Sequence, residues 1–177
     1  YSPALALSQK DAKDYHQWQI DELEDAGVDC IMAQTIPAVS EGAGIADALS
    51  ESTIPYILSF VINRKAEVLD TTPLSEAIQF IDKQVVRPPV GYMVNCAYPT
   101  FICADAQPAE LFQRLIGIQA NSSAKDHDQL DGATTLQQED LSRWGDNMLK
   151  LNKDFGMKIL GGCCGTDDTY LQYLVDH

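Results

Sequence analysis

Apolar segments of strand length alternate with amphipathic helical stretches from one end of this chain to the other. That alternation restricts it to a parallel sheet covered by helices. The strand-like runs fall at residues 28–36, 55–62, 90–96, 115–121 and 157–162, with starts roughly 25 to 40 residues apart. Ser8 caps a first helix that carries Tyr15, Trp18, Leu23 and Ala26 and stops at Gly27, and Ser40 caps a second that runs to about Leu49. Thr72-Pro73 opens a third, with proline at the first helical position, ending near Val85. Pro108 opens a short helix, residues 122–135 read as a polar surface loop, and Thr166 caps a last helix. The clearest helix, 137–155, lines up Leu141, Trp144, Met148 and Leu151 as a core stripe before Gly156 ends it, and Trp18 reads as core as well. Two architectures satisfy this order: an open doubly wound sheet, or a run of units from a (β/α)8 barrel. No Gly-rich phosphate loop follows the first strand, where Gln34-Thr35-Ile36-Pro37 stands instead, which counts against a nucleotide site.

Residues 1–177 read as one domain, with no linker, low-complexity tract or short repeat. A net charge of −14 and a pI near 4.3 exclude a nucleic-acid partner and an anionic membrane surface, because nothing here neutralises phosphate. No apolar run approaches the ~20 residues of a membrane span, and no signal peptide opens the chain. Five cysteines scattered through a domain of this size do not form a disulfide framework, so a cytoplasmic protein with reduced thiols is expected.

The cysteines are clustered in a telling way. Gly161-Gly162-Cys163-Cys164-Gly165-Thr166 ends the last strand, and Asn95-Cys96 ends the strand two earlier. Neighbouring side chains on a strand face opposite ways, so both thiols serve one site only if the strand breaks there, and the flanking glycines permit that break. In a barrel the site lies at the C-terminal ends of the strands, where Cys96, Cys163 and Cys164 converge. Three thiolates suit Zn²⁺ with the fourth tetrahedral position left for water or substrate. The bland alternative is a set of small core residues, or a vicinal disulfide between Cys163 and Cys164. Cys30 and Cys103 read as bystanders; His16, His127 and His177 read as solvated, with no metal-ligand spacing.

The GGCCGT segment and the upstream VNC resemble the two zinc-ligand motifs of the homocysteine S-methyltransferase family. Gln34-Thr35-Ile36-Pro37 resembles that family's E-T-x-P segment, and Ala120-Asn121-Ser122-Ser123 its P-N-S-G segment. The resemblance runs along nearly the whole chain in family order. It implies a partial (β/α)8 barrel of about five β/α units, the fourth through eighth, without the N-terminal strands and the Asp-Gly-Gly motif. Starting at Tyr1 with no initiator Met, the chain is expected to be a fragment, or to be completed by another chain or segment. The resemblance also implies that Cys96, Cys163 and Cys164 bind Zn²⁺, with a homocysteine-like thiol in the fourth position. Gln34, Thr35 and Asn95 would then contact the substrate, and no catalytic group beyond the metal site is required. An activated donor, such as S-methylmethionine or S-adenosylmethionine, would supply the methyl group for methionine synthesis. Gln34 stands where the family carries a glutamate that reads the substrate ammonium, which weakens that contact or alters the acceptor. The alternative expectation is a zinc-binding remnant without turnover.

Overall fold

The computed structural model describes residues 2–177. Its strands are β1 (Ile31–Ile36), β2 (Tyr56–Phe60), β3 (Gly91–Ala97), β4 (Leu115–Ala120) and β5 (Ile159–Gly162). The helices are α1 (Gln9–Asp25), α2 (Val39–Glu51), α3 (Leu74–Gln84), α4 (Leu111–Arg114), α5 (His127–Leu130), α6 (Leu141–Phe155) and α7 (Asp168–Asp176). All neighbouring strands are parallel, and they lie in the order β1-β2-β3-β4-β5. A doubly wound sheet reverses its strand order at a switch point; this one never does. Sequential order with a helix after each strand is the winding of a barrel segment, which decides between the two architectures.

Alternation along the strands sorts the side chains onto two faces. Tyr56, Leu58, Phe60, Tyr92, Val94, Leu115 and Ile118 join one core with Leu49, Leu74, Ile78, Ile81, Trp144 and Met148 from the helices. Met32, Gln34, Ser59, Met93, Asn95, Gln119 and Ile159 alternate with them and take the other face. There Gln34 on β1 donates to Gln119 on β4 at 2.8 Å. Three strand spacings in a flat sheet would hold these strands about 14 Å apart. The sheet is therefore rolled towards that face, on which Ser59, Met93 and Asn95 are buried. At the two rims, Met32 and Ile159 keep 37% exposure each.

Some sequence expectations shift. Ser40, Thr72 and Thr166 are not the N-caps; Ala38, Pro73 and Asp167 hold those positions. The 137–155 helix starts at Leu141 behind the Asp140 cap, and the polar loop contains α5 with a capping box at Asp126. Trp18 is 72% exposed and Tyr15 71%, so this face of α1 is not core. His16 and His127 are partly buried rather than solvated. Cys30 precedes β1 and is exposed. No helix of the described residues is long and apolar enough to cross a membrane.

Candidate metal centre

The backbone departs from regular strand geometry at two adjoining points. The β1–β2 register shifts between Ala33 and Ile36, and the β3–β4 register between Asn95 and Ala97. Thr35 (φ 63°) and Cys96 (φ 53°) lie inside those breaks in the left-handed region, which is strained for any residue with a Cβ. At β5 the strand ends on Gly162, and Gly165 (φ +79°) turns the chain where a Cβ would sit 2.2 Å from Ser122 Oγ. Each departure aims a side chain that regular pleating would send elsewhere.

The thiols of Cys96, Cys163 and Cys164 consequently meet, with all three Sγ atoms within 4.8 Å of one another. Cys96 Sγ lies 2.7 Å from Cys163 Sγ, and Cys163 Sγ lies 3.9 Å from Cys164 Sγ. Tetrahedral zinc at ~2.3 Å from each sulfur places its thiolates roughly 3.8 Å apart, so the donor set fits once the Cys96–Cys163 pair opens by about 1 Å. A hydrogen bond to Cys96 pushes the Cys163 thiol far above its ordinary range, with burial adding to it; burial, then the charge of Cys96, raises Cys164. Three thiols this close cannot ionise together without a cation, and a dication reverses that preference. Neither Cys30 nor Cys103 belongs to the cluster.

Beside Cys96 one buried amide has all its hydrogen-bonding positions filled. Asn95, 2% exposed, donates to Cys96 Sγ (3.1 Å) and Thr35 Oγ1 (2.9 Å). Its Oδ1 accepts from Thr35 N (2.9 Å) and Ser59 Oγ (2.7 Å). Gln34 lies on the rolled face but bonds Gln119 rather than a thiol. Sequence reasoning did not single out Asn121 as a site residue, yet its side chain reaches both cysteine loops. Its one signal in the sequence was its place in the Ala120-Asn121-Ser122-Ser123 segment, directly after the fourth strand. Cys164 faces outward into two cavities beneath residues 122–137. One, of about 370 Å³, is lined by Leu136 and Gln137 among others; the second, of about 480 Å³, by His127, Asp128 and Asp131. Neither lining includes a Lys or Arg.

The homocysteine S-methyltransferase family model matches residues 1–177 of this sequence. The chain belongs to that family. Among its relatives, homocysteine S-methyltransferase 2 of Arabidopsis thaliana is 28% identical, over 97% of this chain and 51% of its own length. Selenocysteine Se-methyltransferase of Brassica oleracea var. italica is 27% identical, over 90% of this chain and 46% of its own. The chain thus spans about half the length of these family members. The crystal structure of the homocysteine methyltransferase MmuM from Escherichia coli superposes with a TM-score of 0.65 at 19% identity. That match covers 98% of this chain and 58% of the other, and it supports the partial-barrel reading of the sheet.

Proposed function

We propose that this chain carries the metal-holding part of a zinc-dependent thiol methyltransferase, with Cys96, Cys163 and Cys164 as the ligands. The observation that carries this reading is the convergence of the three thiols at the C-terminal ends of β3 and β5. Zinc, when bound there, keeps an acceptor thiol ionised near neutral pH. The acceptor is a homocysteine-like thiol, and its sulfur lone pair forms the new bond to the methyl carbon. The electron pair of the broken bond leaves with the donor, so no separate general base is needed. Gln34, Thr35 and Asn95 form the substrate side in this reading. Gln34 supplies a neutral amide, while Asn95, its four hydrogen-bonding positions already filled, works through Thr35 and Cys96. The cavities beside Cys164 give the methyl donor room to approach. The open rims of the rolled sheet suit a further chain or segment that closes the barrel, and reduced thiols suit the cytoplasm.

A second reading, a zinc-binding piece that does not turn over, is favoured by the neutral Gln34 and the open sheet rims. Zinc content of the wild type and Cys163→Ser decides the metal question first. About one equivalent of zinc is expected in the wild type and none in the variant; equal zinc in both would remove the three-thiolate site. Methyl transfer to homocysteine, assayed with the N-terminal β/α units of a full-length relative added, then separates the two readings.

A further inference from the structure

The two segments that bring the thiols together are far apart in sequence, and the strand ladder breaks or ends beside the cysteines. At Cys96 the β3–β4 register breaks, and Cys164 lies beyond the end of β5. One side chain bridges both gaps. Asn121 Nδ2 donates to the Cys96 carbonyl at 3.0 Å, and Asn121 Oδ1 accepts from the Cys164 amide at 3.1 Å. Asn121 is itself 4% exposed and fixed through its backbone: its N–H donates to Ala97 O at 3.0 Å, and its carbonyl accepts from Trp144 Nε1 at 2.9 Å. Only an amide of this length offers a donor and an acceptor at the same reach; a carboxylate keeps the acceptor and loses the donor.

We infer that Asn121 is a positioning residue that sets the spacing of the two cysteine loops and so the affinity of the metal centre. This rests on the zinc reading above. Without the clamp all three sulfurs remain and the Cys163-Cys164 turn is still tied to the end of β4, by Cys163 N–H to Ala120 O (2.7 Å) and Ser122 N–H to Cys164 O (3.0 Å), but its side-chain link to the Cys96 peptide is lost. The loss then falls on metal affinity more heavily than on the fold, since groups that orient metal ligands typically contribute 10- to 100-fold in affinity.

The test compares wild type, Asn121→Ala and Asn121→Asp, with Ile78→Val as a variant that only trims the core on α3. Zinc affinity is read by chelator competition, the geometry of the thiolate set by the absorption of the Co²⁺ form, and stability by thermal midpoint of the metal-free chain. A ten-fold or greater loss of zinc affinity is expected in both Asn121 variants, with an altered Co²⁺ spectrum. Ile78→Val should lower the midpoint and leave affinity and spectrum alone. Asn121→Asp, close to isosteric, serves if Asn121→Ala does not fold. Wild-type affinity and spectrum in the Asn121 variants would overturn the inference. So would an affinity loss that merely tracks the midpoint across all variants, Ile78→Val included. A wild type that takes up no zinc overturns the metal reading itself, and this inference with it.

Discussion

Thr35 and Cys96 hold left-handed backbone that costs about 1–3 kcal/mol apiece, and Asn95 joins them. Its amide meets Thr35 in both directions, touches the Cys96 sulfur and takes the Ser59 hydroxyl, so strain and satisfaction sit side by side. Removing that amide strands the Ser59 hydroxyl in the core, at about 1–3 kcal/mol, and the half-buried Thr35 N–H at less. Asn95→Ala should therefore lose about 2–5 kcal/mol of stability in urea, seen as a lower midpoint at unchanged slope. An unshifted midpoint would mean that these bonds are replaced by water. The cysteines and Asn95 were legible because chemistry-bearing residue types at strand ends stand out in a linear text. Asn121 was legible only as part of a motif. Its role depends on which loops lie side by side after folding, and no spacing rule encodes that.

Element positions follow from apolar runs, and all five strands lie within the ranges that hydrophobicity marks or end one residue beyond them. Helix starts were less legible, because caps can come from elsewhere. Ala38 gives α2 no side-chain cap; the Val39 N–H instead bonds Asp70 Oδ2, from the loop after β2, at 2.6 Å. Trp18 fits a helical stripe, but periodicity reports a face and not whether anything covers it. The α1–α2 contact is tight at Gly44, where a Cβ would stand 2.2 Å from Gln9 O and 2.9 Å from Lys13 N. Backbone cannot yield as a side-chain tip does, so Gly44→Ala should destabilise by at least about 1–3 kcal/mol, measured by denaturant titration. The segment after β4 is held differently, by Arg64, whose guanidinium pairs with Asp126 and reaches Gln129 Oε1 at 3.1 Å. That pair is half exposed and worth less than ~1 kcal/mol globally. Arg64→Ala should thus speed hydrogen exchange across residues 126–131 while barely moving overall stability. Burial holds the His127 imidazole below its ordinary pKa. Its neutral form therefore stabilises this segment fully above about pH 6.5, and the benefit is lost as pH falls through the lowered folded value. Exchange in 126–131 should quicken on acidification, and His127→Gln should flatten that dependence.

For the molecule as a whole, apolar rims and net charge pull in opposite directions. Met32 and Ile159 lie on the rim strands of the rolled sheet, and Trp18, Tyr15, Leu171 and Val175 are exposed on the flanking helices. The chain carries a net charge of −14, which keeps copies apart at low salt. Salt screens the repulsion and leaves the apolar attraction, so self-association should rise with ionic strength, and Ile159→Lys should suppress it in sedimentation experiments. Association that fell with salt would point to ion pairing instead. The sequential strand order has one more consequence, for a chain emerging from the ribosome. Every strand pairs with the one made before it, so β1 through β4 can assemble while synthesis continues. Cys163 and Cys164 follow β5, so Cys96 waits for them through the making of two further strands. A metal held by all three thiols would report that β5 is in place: until that strand is translated and seated, the chain offers the ion one sulfur instead of three.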